Sequence, residues 1–574
     1  MRRRIGPLAV GLLTSLLCTS CALVRPATTR LLGEARVTAT PLPLGTIPLP
    51  SRTGETPAWG AGGPVSLHYI PTQGPARRLI EQWADQDLPD WQEEGKVTAP
   101  RVILAKLALG RDVEAVNAYL LSAKPWAGIG STWALRQSGD YDFSLPPLTA
   151  ALYLFGERPE LLHPETRDHL VETLLNQAGS SFRRTVPGSL GLVGETENHI
   201  LMTEGSRYLK NQWLRQHGSD AVAHNNAANG LETKLLDYLD ELDRAGLYEF
   251  NSNPYVGYTA MALLTLEAFA EQSVAEAARR VLDRINTEYA YGSLLLQRYA
   301  PYRRQTSRAG ITELSDHPHT SMMRVWTSLA GSDVPPVEKH THQAVYAALM
   351  PYRLPDATAT LAMTADRSHY VRIGRGPGSS PEIYSAGDGY LLSAGGVGRG
   401  RSSQIVMRLI SLILTNGAGD ASELWRIGDD ASYWSGNRTG VLPGVAVGRP
   451  PLTVPCGVAP TAAAGAWTVY HDATSGVTVA CGETSYVGVI YALDREAVAD
   501  LGMNENQLAS RLADLTGSDD LDAGLLYLPD GRQIVFDLSA NADTWVIVSV
   551  NGEAMDRELT RWPRLDGWAD ELPK

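Results

Sequence analysis

Between about residue 76 and residue 355, apolar positions recur every three or four residues. Leu231, Leu235, Tyr238 and Leu242 form one stripe at i, i+4, i+7 and i+11, with Thr233, Lys234, Asp237 and Asp240 on other faces. Gly246 is the expected stop of that helix. Similar runs cover Ala76–Gln86, Val113–Ser122, Pro146–Phe155, His199–Arg215, Tyr258–Glu271 and Val274–Asn286. Near Ala357 the period shortens to that of strands. His369–Ile373, Tyr486–Ile490, Ile534–Leu538 and Trp545–Val550 are β-branched or aromatic runs bounded by turn clusters such as Asp388-Gly389 and Pro529-Asp530-Gly531. The pattern predicts a multidomain protein, helices first and then strands. The helices could stack as a bundle, a solenoid or a closed toroid, and the strands as an antiparallel β-sandwich with a helical insert around Asn504 to Leu515.

The N-terminus adds a compartment. Arg2, Arg3 and Arg4 precede an apolar stretch from Ile5 to Leu17, then Thr19, Ser20 and Cys21. This is the layout of a secretory signal ending at a lipidated cysteine, although Cys18 stands where a leucine is usual. Residues 1–21 are therefore expected to be a lipoprotein-type signal and Cys21 the acylated residue. Residues 22–75, rich in Pro, Gly and Thr, read as a tether. Residues 76–355 and 356–574 are the expected helical and strand domains. No later stretch has the roughly 18 apolar residues of a membrane helix, so the expected membrane partner is reached through the lipid alone. The expectation is an exported cell-envelope protein. Past the signal only Cys456 and Cys481 remain, which in an oxidising compartment predicts a disulfide contributing roughly 3 kcal/mol. The chain has 574 residues and a net charge of −13, which argues against nucleic acid as a partner.

Candidate chemistry gathers at two places. Glu195-Thr196-Glu197-Asn198-His199, followed by Glu204 and Arg207, sits where a Gly-rich approach (Gly188, Gly191, Gly194) enters a helix. Tyr248-Glu249-Phe250-Asn251-Ser252-Asn253-Pro254-Tyr255 precedes a second helix, on which Tyr255 and Tyr258 share a face. His224 opens a polar triplet between them, and Arg298, Arg303, Arg304 and Arg308 could make a local positive cleft. His317 and His319 lack a third ligand at a known spacing, so no cofactor and no metal site is expected, with room left for a structural metal ion. There is no Gly-x-Ser-x-Gly elbow, phosphate loop or His-Glu-x-x-His, which removes the commonest esterase, nucleotide and metalloprotease readings.

The helical half followed by a β-rich half, with Asn198-His199 at a helix start and Tyr255 some 56 residues later, resembles the heparinase II/III-like polysaccharide lyases and their alginate-lyase relatives. The resemblance covers the two-part layout and about 80 residues of local motif. It implies an incomplete (α/α) toroid followed by a β-sandwich, and cleavage of a uronic-acid polysaccharide or oligosaccharide by β-elimination. It implies that Asn198 binds the uronate carboxylate, that His199 assists or accepts the proton, and that Tyr255 protonates the leaving oxygen. Glu197, Glu204, Arg207, His224, Glu249, Asn251, Tyr258, Arg303 and Arg304 are then the expected substrate-binding residues. Such sites usually add a later histidine, for which His317, His319 and His369 are candidates. The competing readings are a glycoside hydrolase on a helical toroid and a glycan-binding lipoprotein without catalysis. The hydrolase would use two carboxylates drawn from Asp142, Glu195, Glu197, Glu204 and Glu249, with Asp140-Tyr141-Asp142-Phe143 lining a sugar subsite.

Overall fold

The computed structural model describes residues 67, 69–126, 140–299, 301, 313–373, 375, 382–395, 409–416, 419–420, 424–428, 438–539 and 544–558. Cys21, most of the tether, Arg303, Arg304 and Arg308 lie outside the described residues.

Helices dominate up to Met363, and strands follow from His369. The chain divides into two compact units, one formed chiefly by Gln86–Leu235 and the other by Ser66–Asp85 with Leu236–Lys574. In the first unit the helices Thr98–Ala108 and Leu145–Phe155 pack together. Every residue of Leu145–Phe155 is buried, and this matches a segment that is apolar all round. Pro146 and Pro147 fall in its first turn, where a missing N–H costs nothing. A short 3₁₀ turn, Tyr141–Ser144, leads into it.

In the second unit Tyr255–Phe269 and Gln272–Tyr291 form an antiparallel-type pair with a short link, and Gly74–Ala84, Pro318–Leu329 and Thr341–Leu349 pack on one another. The predicted stop at Gly246 is where the helix Leu231–Ala245 ends, with Gly246 at φ +79° and its N–H on Leu242 O at 2.9 Å. Pro254 immediately precedes the helix that begins at Tyr255, one residue before the expected first turn.

The strand half holds three antiparallel sheets among the described residues. The first has the order β1 (His369–Ile373), β2 (Glu382–Gly387), β3 (Tyr390–Gly395), β4 (Ile410–Leu414), β5 (Trp425–Ile427), β8 (Leu452–Thr453). The second runs β6 (Thr439–Leu442), β7 (Val445–Gly448), β12 (Gly488–Leu493), β11 (Val477–Glu483), β10 (Trp467–Asp472), β9 (Ala462–Ala464). The third is β13 (Leu525–Tyr527), β14 (Gln533–Phe536), β15 (Ile547–Val550), β16 (Glu553–Ala554). Asp388-Gly389 forms the two-residue turn between β2 and β3, with Gly389 at φ +81°, a conformation two-residue hairpins need. Ile410, Leu412, Trp425, Val479, Ile490, Ile534, Phe536 and Val550 meet in one apolar cluster. The insert helix Glu505–Leu515 adds Leu508 and Leu512 to it, and its start is closed by a reciprocal Asn504–Gln507 capping box.

The expected disulfide does not form: both cysteines are free. Cys481 is buried on the interior strand β11, where burial pushes its thiol up, whereas Cys456 is exposed in the loop after β8. The two sulfurs face different surroundings, and closeness in sequence was no guide to pairing. No described helix is long and apolar enough to cross a membrane.

Candidate functional site

The polar cluster around residue 198 is assembled by a helix with a fault in it. Thr196 is extended, Glu197–Ile200 makes the first α turn, Leu201–Gly205 widens into a π turn, and Ser206–Gln216 resumes as α-helix. Such π turns inside α-helices cluster at functional sites. The approach to it doubles back as an antiparallel excursion, with Val186 N–H on Val193 O and Glu195 N–H on Arg184 O, both at 2.9 Å. Gly188 and Gly191 turn it at φ +80° and +79°.

Asn198 is fully buried, and its Oδ1 accepts from Thr196 Oγ1 and from His199 N, each at 2.6 Å. Any anion that Asn198 binds therefore meets its Nδ2. His199 is buried as well, and its Nδ1 lies 2.5 Å from Oδ2 of Asp142. Asp142 comes from the 3₁₀ turn ahead of the buried helix Leu145–Phe155 and has no exposed surface. Its Oδ1 has no hydrogen-bond partner among the described residues. The edge of Phe143 stands against the His199 ring, with centroids 5.3 Å apart and planes at 82°. Lys96 lies 4.2 Å from the Phe143 centroid and 3.1 Å from Asp140 Oδ2. Nε2 of His199 makes no hydrogen bond among the described residues.

Burial by itself would lower the His199 pKa. The Asp142 carboxylate outweighs it, helped by Glu195 and Asp140, and raises His199 to about 9. Burial also pushes the Asp142 carboxyl up, and the imidazolium opposes that push.

Two of the expected substrate-binding residues in this unit face inward. Glu204 and Arg207 are buried and bonded to each other across 3.3 Å at i, i+3. Glu204 also accepts from Arg183 N at 3.1 Å, while Arg207 donates to Ser181 O at 2.8 Å and to Gln177 Oε1. They pin the 177–183 segment to the helix, and this use of both charges corrects the expectation that they meet substrate. Burial raises Glu204 to about 7 despite Arg207 and lowers Arg207. Glu197 is buried in the first turn. His224 ends a 3₁₀ turn, half-buried, with Nδ1 on Ser219 Oγ at 2.7 Å, and the next helix begins at Leu231.

The second expected cluster belongs to the other compact unit. Tyr255 starts its helix, half-buried. Tyr258 is buried, its ring 6.2 Å from that of His342. Glu249 is buried, and Asn251, at φ +56°, is fixed through Nδ2 on Pro301 O at 2.6 Å. Arg298, expected to line a positive cleft, has no exposed surface. It donates to Tyr384 Oη at 2.8 Å, lies 3.6 Å from Glu382 Oε2 and covers the Tyr289 ring at 5.1 Å.

The three later histidines are buried too. His319 Nε2 meets Asn286 Oδ1 at 2.7 Å, His369 Nε2 meets Tyr291 O at 3.0 Å, and His317 Nδ1 accepts from His319 N at 3.3 Å. Burial, reinforced by Arg298, lowers His317 and takes His319 to about 3, and burial with Arg367 does the same for His369. Among the described residues no group of three or more His, Cys, Asp or Glu is placed to hold a metal ion.

Asp142, weighed from the sequence only as a hydrolase carboxylate or a subsite wall, is the residue that pairs with His199. Its signal was a carboxylate set directly against a long apolar run, a position that demands a partner. No protein-family model matches this chain, and no curated protein does.

Proposed function

We propose that the protein is an exported, lipid-anchored lyase that cleaves a uronic-acid-containing glycan by β-elimination, on an incomplete (α/α) toroid followed by a β-sandwich. The observation that carries the reading is the pairing of Asn198 and His199 in one buried helical turn, with the His199 ring held through Nδ1 and its Nε2 left facing away from Asp142. Two adjacent N–H donors suit a carboxylate, and spreading the charge of the enolate is what makes the sugar C5 proton removable. In the reaction the C5–H pair becomes the C4–C5 double bond, the C4–O bond breaks, and the leaving oxygen gains a proton. His199 stands for assistance in neutralisation or for the base, and Tyr255 carries, by resemblance, the protonation of the leaving oxygen.

The hydrolase alternative loses ground because two of its five candidate carboxylates are engaged with other side chains. Asp142 is bound to His199 and Glu204 to Arg207, each without exposed surface. A hydrolase needs two carboxyls facing one bond.

The test is a panel of acidic and neutral glycans followed in two ways, by ultraviolet absorbance of the unsaturated uronate and by new reducing ends. The expected result is absorbance from a uronic-acid polymer, lost by about 10²- to 10⁴-fold in Tyr255→Phe and His199→Ala. New reducing ends without absorbance would refute the lyase. Binding without cleavage would leave a glycan-binding protein.

A further inference from the structure

We propose that Asp142 is the positioning residue that holds His199 as a cationic, carboxylate-binding donor, so that His199 neutralises the substrate and does not take its proton. This rests on the β-elimination reading above and decides between the two roles left to His199 there.

The geometry is that of a buried carboxylate orienting an imidazole through Nδ1. Asp142 Oδ2 is 2.5 Å from His199 Nδ1, and neither side chain has more than a few per cent of its surface in solvent. Such a contact fixes the ring and directs Nε2 outward. With Oδ1 unpartnered among the described residues, the imidazole is the group that compensates the carboxylate's charge. A buried carboxylate without compensation is costly, which favours keeping the proton on His199.

The groups that face the ring agree in sign. Asp140 and Asp142 come from the 3₁₀ segment, and Glu195 from the approach to the helix. Lys96 is the nearby cation, and its ammonium is bonded to Asp140 and lies over the Phe143 ring. The result is the rise of His199 to about 9, so near neutral pH both ring nitrogens carry protons. An imidazolium has no lone pair to receive the C5 proton, but its Nε2–H can donate to the uronate carboxylate. His199 therefore begins and ends the reaction with the same protons, and the C5 proton passes to Tyr255, acting first as base and then as acid, and from it to the leaving oxygen.

The experiment is an NMR titration of the His199 ring nitrogens in the full-length protein, with the signal assigned by comparison with His199→Gln. In the wild type both nitrogens should read as protonated through neutral pH and titrate near 9. In Asp142→Asn the titration should fall to about 6.5 or below. A wild-type His199 that titrates near 6.5 overturns the proposal, and so does an unchanged titration in Asp142→Asn. Should Asp142→Asn not fold, the wild-type titration decides alone.

A kinetic arm uses whichever uronic-acid polymer gives absorbance. Asp142→Asn should lower kcat/KM by about tenfold to a hundredfold, the worth of a hydrogen bond to a charged group. Wild-type kcat/KM should fall above about pH 9 as the cation is lost. A rise through that pH would make His199 the base and sink the proposal. If no glycan is cleaved the lyase reading fails by itself, and the titration still decides the role of Asp142 toward His199.

Discussion

His199 and His319 are nearly equally buried, at 6% and 2% of their surface, yet they stand at opposite ends of the imidazole range, about 9 against about 3. Burial presses on both in the same direction. What differs is the charge beside them. In the first compact unit the ring meets Asp142, and in the second the nearest charge is Arg298, with Arg367 doing the same to His369. One histidine is thereby held charged with a nitrogen to offer, and the others are held neutral with their nitrogens spent on Asn286 and on the Tyr291 carbonyl. Burial alone does not mark a structural histidine; the sign of its neighbour sorts it.

Breaking the second environment should have the largest effect. Arg298→Met removes the cation 3.6 Å from buried Glu382 and the donor to Tyr384, and should cost about 3–5 kcal/mol in denaturant unfolding. The same variant should move His319 upward in an NMR titration. Asp142→Ala breaks the first environment. It should cost somewhat less, about 3 kcal/mol, because a stranded imidazolium, with an ordinary pKa of about 6.5, sheds its proton more cheaply at neutral pH than a stranded carboxylate gains one.

The pH dependence sharpens the comparison further. The folded pKa of His199 is raised above its unfolded value, so its contribution to stability is fully present below about 6.5 and is lost as pH rises through about 9. A melting series across that window should decline in the wild type, with the same step missing from His199→Gln. His319 has the opposite sign: its folded pKa is depressed, so acidification below about 6.5 favours unfolding, because the unfolded imidazole takes up a proton that the folded one refuses down to about 3. The smallest effect is expected from reductant. With Cys456 and Cys481 free, the unfolding free energy should stay within about 0.5 kcal/mol with or without it, and a larger drop would mean a disulfide after all.

Much of the element order was legible because it follows from periodicity. The helix over Val113–Ser122 and the strand over His369–Ile373 fall where the sequence pattern puts them, residue for residue. Elements packed by distant partners were harder to bound. Gln272–Tyr291 overruns its expected end at Asn286 by five residues, held there by contacts such as Tyr289 with Thr320. The candidate site was half legible. Asn198 and His199 announced themselves as a local cluster, but Asp142 lies 57 positions upstream of His199, and nothing local ties the two. Glu204 and Arg207 show the converse error. At i, i+3 they read as polar residues near a site, while the fold turns that face inward and uses the pair to hold 177–183.

The π turn over Leu201–Gly205 carries a consequence in rotational phase. A π turn holds one residue more than the α-helical path it interrupts, and one residue is worth about 100° around the axis. The turn bearing Asn198 and His199 is offset by that amount from the face carrying Arg207 and Lys210. Excising Met202 alone would regularise the helix and swing His199 away from Asp142, with every side chain of the site still in the sequence. Which side of the helix meets the carboxylate is thus set by the count of residues in a single turn.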